Sequence, residues 1–314
     1  MRRVGFVYDP IYLKHDWEGH PEHKGRLEAI VDRLERSPLR ERLTFLKPRR
    51  ATPEEVALNH DPAYVQEVKE FCEAGGGFLD PDTYATPYSY EVALYAVGGL
   101  LKGAEELISG SLDAVFCAVR PPGHHAEYAR AMGFCIFNNA AVLARYLLKR
   151  GFKRVLIIDF DAHHGNGTQR SFYEEDRVFY FSTHQYPFYP GTGSADERGS
   201  GRGYGYTLNV PLPAGAGDEE VVPVYERLLP EVYERFRPEF VVVSAGYDLH
   251  ADDPLTHLRV SDEGVRRIAR SIVKLSEGLP LLFTLEGGYD LRALAEGVHA
   301  TLEEMLWAGG GAAR

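Results

Sequence analysis

The chain has 314 residues, 44% hydrophobic and 26% charged, a balance that fits a folded domain and excludes a low-complexity or fibrous chain. Its net charge of −11 excludes a broadly nucleic-acid-binding surface, which needs a basic face, and would draw cationic partners. Three scattered cysteines (Cys72, Cys117, Cys135) suggest no disulfide framework, and no stretch approaches a signal peptide or the roughly 20 apolar residues of a membrane span. The expectation is a cytoplasmic protein without nucleic-acid or membrane partners.

The predicted elements alternate along the chain. A strand "VGFVYD" starts at Val4, and "EHKGRLEAIVDRLER" follows as a helix with Leu27, Ile30, Val31 and Leu34 on one stripe. A helix "SYEVALYAVGGLLKGAEELI" leads to a strand "AVFCAV" from Ala114, then a helix "AAVLARYLLKRG". Strands "RVLIIDFD" from Arg154 and "VFYFST" from Val178 come next, and the Gly-rich "PGTGSADERGSGRGYGYT" reads as a loop. The strand "FVVVSAGYD", the helix "DEGVRRIARSIVKLSEG" and the strand "PLLFTLEGG" complete the series. Most apolar runs are continuous rather than alternating, as in parallel strands covered on both faces. The expected fold is an α/β three-layer sandwich around a mostly parallel sheet, one domain over 1–314.

Polar or glycine-rich residues follow four of these runs: "FCAVRPPG", "LIIDFD", "VVVSAGYD" and "LLFTLEGG". In open parallel sheets ligands bind beyond the carboxyl ends of the strands, so the four ends imply one shared site. In "IIDFDAHHGNG", Asp159, Asp161, His163 and His164 sit where a buried strand should end. Burying carboxylates is costly unless they are paired or bind a metal. On a strand, Asp161 and His163 point the same way, and Asp248 offers a third ligand, leaving a fourth position for water. Two carboxylates neutralise much of a divalent charge, so the bound water is less acidified and benefits from a separate base. His124 and His125, after a rigid Pro-Pro-Gly turn, are suited to that work, with Asp159 and Asn166 as orienting partners. Tyr289, after two glycines, is placed to donate to a developing oxyanion. Each residue also has a plainer reading: a surface histidine pair, or an acid satisfied by backbone N–H groups.

Together, "RPPGHHA", "GFCIFNN", "DFDAHHGNGT", "FYPGTG", "AGYDLHADDPL" and "LEGGYD" resemble the histone deacetylase and acetylpolyamine amidohydrolase superfamily, in its order, from "HPEHKGRLEAI" onwards. "HHGNGT" and "LEGGYD" are closer to its class II branch, where Asn166 replaces an aspartate. The resemblance implies the arginase/deacetylase fold and a zinc-dependent amide hydrolase. It implies Asp161, His163 and Asp248 as zinc ligands, His125 as general base and acid, His124 as its electrostatic neighbour and Tyr289 as the carbonyl-polarising residue. It further implies Gly133, Phe134 and Tyr189 as channel walls, Leu255 at the channel mouth and Arg26 in an acetate pocket. A potassium or sodium ion is implied at Asp159, Asp161, His163 and Ser182. Asp82 is the best match to the rim aspartate that grips the substrate backbone, with Asp80 the weaker one. Tyr189 stands where phenylalanine is usual, and His250, Asp252 and Asp253 read either as rim or as solvated loop.

The expected function is hydrolysis of an N-acetylated primary amine, acetyl-lysine in protein or a small acetylated amine, to acetate and free amine. Iron(II) or cobalt in place of zinc stays open. So do an acetylpolyamine amidohydrolase, an arginase-like two-metal hydrolase (disfavoured because no further carboxylate–histidine cluster appears) and a non-catalytic acyl-lysine reader. Oligomeric state is unreadable.

Overall fold

The computed structural model describes residues 2–307, so the ends of the expected 1–314 domain, Met1 and residues 308–314, lie outside the described residues. The strands are β1 Val4–Val7, β2 Leu43–Leu46, β3 Gly77–Asp80, β4 Thr83–Ala85, β5 Ala114–Cys117, β6 Val155–Asp159, β7 Val178–Gln185, β8 Thr207–Leu212, β9 Phe240–Ala245 and β10 Leu281–Leu285. Eight form one sheet in the order β2-β1-β5-β10-β9-β6-β7-β8, while β3 and β4 make a separate hairpin. Every pairing in the large sheet is parallel.

The continuous apolar runs occupy its middle. All residues of β5, β10, β9 and β6 are buried, and each fully buried Val, Leu or Phe contributes about 1.5–3 kcal/mol relative to exposure. Helices cover both faces. Gly25–Glu35 packs on Leu291–Trp307, which packs on Asp262–Leu275, and Ser89–Ile108 packs on Asn139–Lys149 in the other layer. The helix Asp262–Leu275 shows why such segments form. Ser261 caps its start by accepting from the Gly264 N–H, and Val265, Ile268, Ala269, Ile272 and Val273 make its buried stripe.

The four central strands are the four whose polar ends the sequence marks, so their following loops converge. Strand β6 ends at Asp159, so Asp161 and His163 lie in the loop beyond it and do not share a strand face. Their side chains meet because the loop turns back on itself. The Asp161 N–H donates to Asp159 Oδ1 at 3.2 Å, and the His163 N–H donates to Asp161 Oδ1 at 2.8 Å. The structure also adds strands β2 and β8 and the β3–β4 hairpin to the expected set.

Candidate active site

Asp161, His163 and Asp248 each present one donor atom, and the three atoms lie within 4.8 Å of one another. His163 Nδ1 is 2.8 Å from Asp248 Oδ2 and 3.3 Å from Asp161 Oδ1. Each carboxylate is also anchored to backbone. Asp248 Oδ1 accepts from the Ala162 N–H, and Asp161 Oδ2 from the Gly287 N–H, both at 2.8 Å. Residue 287 must be glycine here, because a Cβ would fall 2.6 Å from Asp248 Oδ2 and 2.7 Å from Asp161 Oδ2.

The electrostatics suit a cation. Burial pushes the His163 imidazole down, but its hydrogen bonds to Asp161 and Asp248 outweigh that and carry it up to about 10. Burial and the Asp161 charge push Asp248 up to about 7. Two buried acids thus face one imidazole that they hold towards its charged form. A divalent ion fits the same place, and one imidazole nitrogen with two carboxylate oxygens is a donor set for zinc, iron(II) or cobalt.

The histidine pair stands beside it, with ring centres 4.1 Å apart. His124 Nδ1 is 2.9 Å from Asp159 Oδ2, and His125 Nδ1 is 2.8 Å from Asn166 Oδ1. Both partners are oxygens that accept, so each Nδ1 carries a proton; His125 Nε2 is left free, while His124 Nε2 lies 3.8 Å from Asp161 Oδ1. Asn166 is fixed in that sense because its Nδ2 donates to Glu127 Oε1 at 3.1 Å. The two rings differ in charge. Burial disfavours the His124 cation, but Asp159 and Asp161 outweigh it and hold the imidazole well above its ordinary value. Burial pushes His125 down, reinforced by His124 and His163. A Cβ at Gly133 would lie 2.3 Å from His125 Cδ2, so only glycine lets this wall approach the ring.

A cavity of about 220 Å³ opens over these groups, lined among others by Asp82, Gly133, Phe134, Tyr189, Leu255 and Tyr289. Phe134 and Tyr289 meet edge to face at 5.7 Å. Burial raises the Tyr289 phenol, so it stays protonated and able to donate. Arg26 is fully buried behind it, its guanidinium 4.9 Å from the Tyr289 ring, donating to Gly288 O at 2.7 Å and Glu286 O at 2.6 Å. Ser182 is the register partner of Asp159 across β6 and β7, and its hydroxyl bonds His184 Nδ1 at 2.9 Å. His164 turns away from the site to Thr192 and Gln169.

Two residues that shape the site, Glu286 and Phe188, carry no role in the sequence, and Asp253 has a different one from those expected. Glu286 is fully buried. Its Oε2 accepts from the Gly123 and His124 N–H groups at 2.7 and 3.1 Å, and its Oε1 from Ser244 Oγ at 2.9 Å. It ties the histidine loop to the end of β9. Its signal was legible, an acid directly after the buried run of "LLFTLEGG". Phe188 stacks on His163 at 5.3 Å and lines the cavity. Asp253 is neither rim nor solvated loop. It is buried and accepts from the Tyr289 and Leu255 N–H groups at 2.8 and 2.9 Å. Asp252 is exposed and pairs with Arg292 at 2.9 Å.

The family model "Histone deacetylase domain" matches residues 20–305. A "Probable deacetylase" of Archaeoglobus fulgidus is 41% identical over 294 residues, covering 92% of this chain and 82% of that protein. "Histone deacetylase 14, chloroplastic" of Arabidopsis thaliana is 39% identical over 315 residues, covering 94% of this chain and 74% of that one. Among solved structures, "Crystal Structure of HDA15 HD domain" superposes with a TM-score of 0.94 at 36% identity, covering 98% of this chain and 90% of the other. That likeness establishes the three-layer arginase/deacetylase fold. Matched in sequence from residue 20 to 305 and in architecture throughout, the chain belongs to the histone deacetylase family.

Proposed function

We propose that this chain is a metal-dependent deacetylase that cleaves the amide of an N-acetylated primary amine, releasing acetate and the free amine. The observation that carries the reading is the convergence of Asp161, His163 and Asp248 within 4.8 Å, beside a cavity shared with an oriented histidine pair and a phenol. These three residues would hold the ion, which when bound supplies Lewis-acid polarisation of the acyl carbonyl and a more acidic water. His125, its Nδ1–H held by Asn166, takes a proton from the attacking water at Nε2 and returns it to the leaving nitrogen. His124, held against Asp159, keeps positive charge beside that nitrogen. Tyr289 donates its phenol proton in a hydrogen bond to the developing oxyanion. Phe134 and Tyr189 enclose the acyl-bearing chain, Asp82 meets the substrate backbone at the rim, and Arg26 faces the acetate end. Potassium or sodium at Asp159, Asp161, His163 and Ser182 would neutralise the acids behind the site.

A second reading, an acetylpolyamine amidohydrolase, draws on the carboxylate of Asp82 in the cavity wall and Asp80 beside it. A panel of acetyl-lysine peptide and acetylspermidine on metal-defined protein tests the pair of readings, with Asp248→Ala as control. The proposal expects turnover with about one divalent ion per chain and loss of both in Asp248→Ala. Undiminished metal in that variant removes Asp248 from the ligand set, and no turnover of either substrate removes the activity.

A further inference from the structure

At the channel mouth an aromatic path runs outward from the wall. Phe134 meets His20 edge to face at 4.7 Å, His20 meets Tyr84 at 4.7 Å, Tyr84 meets Trp17 at 5.9 Å, and Trp17 meets Phe78 at 5.1 Å. The path starts inside the cavity and ends in solvent, where Trp17 is 37% and Phe78 48% exposed. Two large aromatic rings left open together are an expensive feature for a surface with no use for them. They are also fixed in place. Trp17 sits on the loop before the helix Gly25–Glu35, and Phe78 sits on the β3–β4 hairpin that carries Asp80 and Asp82. His20 ties loop to hairpin, its Nε2 lying 2.9 Å from the Asp82 carbonyl oxygen.

The charge around the rings has one sign in excess. Asp16 pairs with Lys24 at 3.5 Å and Asp80 with Arg130 at 3.5 Å. Glu18, next to Trp17, makes no ion pair among the described residues, whereas the Asp82 carboxyl is held above its usual range by burial and by Asp80 beside it, which leaves Glu18 as the free anion of the loop. An exposed indole next in the chain to an unpaired carboxylate is a site for a cation with a flat or apolar stem, which lysine and above all arginine supply.

We propose that Trp17 and Phe78, with Glu18, form a docking shelf for a basic residue of a polypeptide substrate, next to the acetyl-lysine whose side chain enters the channel. The inference rests on the deacetylase reading and names its substrate class: acetylated protein segments with an arginine or lysine close to the modified residue. A small acetylated amine fills the channel and leaves the shelf bare.

The test is a set of acetyl-lysine peptides with arginine, alanine or glutamate on either side of the modified residue, together with a capped acetyl-lysine amide too short to reach the shelf. Each is measured with wild-type protein, Trp17→Ala and Phe78→Ala. Wild type is expected to prefer the arginine peptide, with Trp17→Ala losing roughly 3- to 30-fold in kcat/KM for it through KM, the range of one cation–π contact. The capped amide is expected to react equally with all three proteins, which also reports that the variants are folded. In addition, arginine-peptide titration of Trp307→Phe, whose remaining indole is Trp17, is expected to change the fluorescence saturably. A flat order in wild type, or an arginine preference that survives both variants, overturns the shelf while leaving the deacetylase reading standing. No turnover of any substrate, the amide included, overturns that reading and the shelf with it.

Discussion

Replacing Gly287 by alanine separates the metal-site account from a general loss of folding. The added Cβ would stand 2.6 Å from Asp248 Oδ2 and 2.7 Å from Asp161 Oδ2, where ordinary contact begins at 3.4 Å. Each carboxylate oxygen must therefore withdraw by about 0.7–0.8 Å, several times the ~0.2 Å that metal–ligand distances tolerate. Gly287 does not have a positive φ, so alanine adds no backbone strain and the steric push is the main effect. Divalent-ion affinity should fall by at least the roughly 10- to 100-fold typical of disturbing ligand support. Chelator competition on the purified variant reads the affinity, and a melt without metal reads the fold. The reasoning is refuted if Gly287→Ala binds metal as tightly as wild type, because the two carboxylates then do not set the site.

Tyr289→Phe should keep metal and fold but lose roughly two or more orders of magnitude in turnover, the scale of one oxyanion donor, and near-normal turnover would remove the phenol from the mechanism. Buried His60, pushed down to about 4 mainly by desolvation, stays neutral in the fold and accepts from the Asn138 N–H at 2.8 Å. The unfolded chain binds a proton there below about 6.5. This stability contribution is therefore full above that value and fades as pH falls towards 4, by up to about 3 kcal/mol. Urea unfolding of wild type and His60→Gln at pH 7 and pH 4.5 should show a shallower pH dependence in the variant, and equal slopes would contradict the assignment. Substrate choice follows from the mouth of the channel. Leu255 lines it, Asp253 is turned inward onto Tyr289 N–H and Asp252 is held by Arg292, so none of these meets a second ammonium. Long-range attraction by the net charge is screened within about 8–10 Å in physiological salt. An acetyl-lysine peptide should therefore exceed acetylspermidine in kcat/KM at that ionic strength, and the reverse order would transfer the selectivity to Asp80 and Asp82.

The six apolar runs read from the sequence all became strands of the central sheet, because strands covered on both faces must be continuously apolar. The strands that escaped notice lack that signal. β8 is "TLNVPL", mixed in polarity and interrupted by proline at the sheet edge, and β2 is a four-residue edge strand with Thr44 and Phe45 exposed. The site was legible as a set of residue types at strand ends, but its geometry was not. Asp161 and His163 meet through a loop closed by side-chain-to-backbone hydrogen bonds, which no periodicity announces. The roles of Glu286, an acid visible after its apolar run, and of Asp253, read as rim or solvated loop, were hidden for a related reason. Their partners, the Gly123 and Tyr289 N–H groups, are distant in sequence, and backbone donors leave no mark in a string of side chains.

Turnover of a fluorogenic acetyl-lysine peptide, followed before chelation, after complete metal removal, and after return of about one equivalent of zinc, tests the central claim most directly. The account predicts activity in the first state, loss in the second and recovery in the third, with Asp248→Ala inactive throughout. Turnover that persists in metal-free protein, or that zinc restores equally to Asp248→Ala, would contradict it.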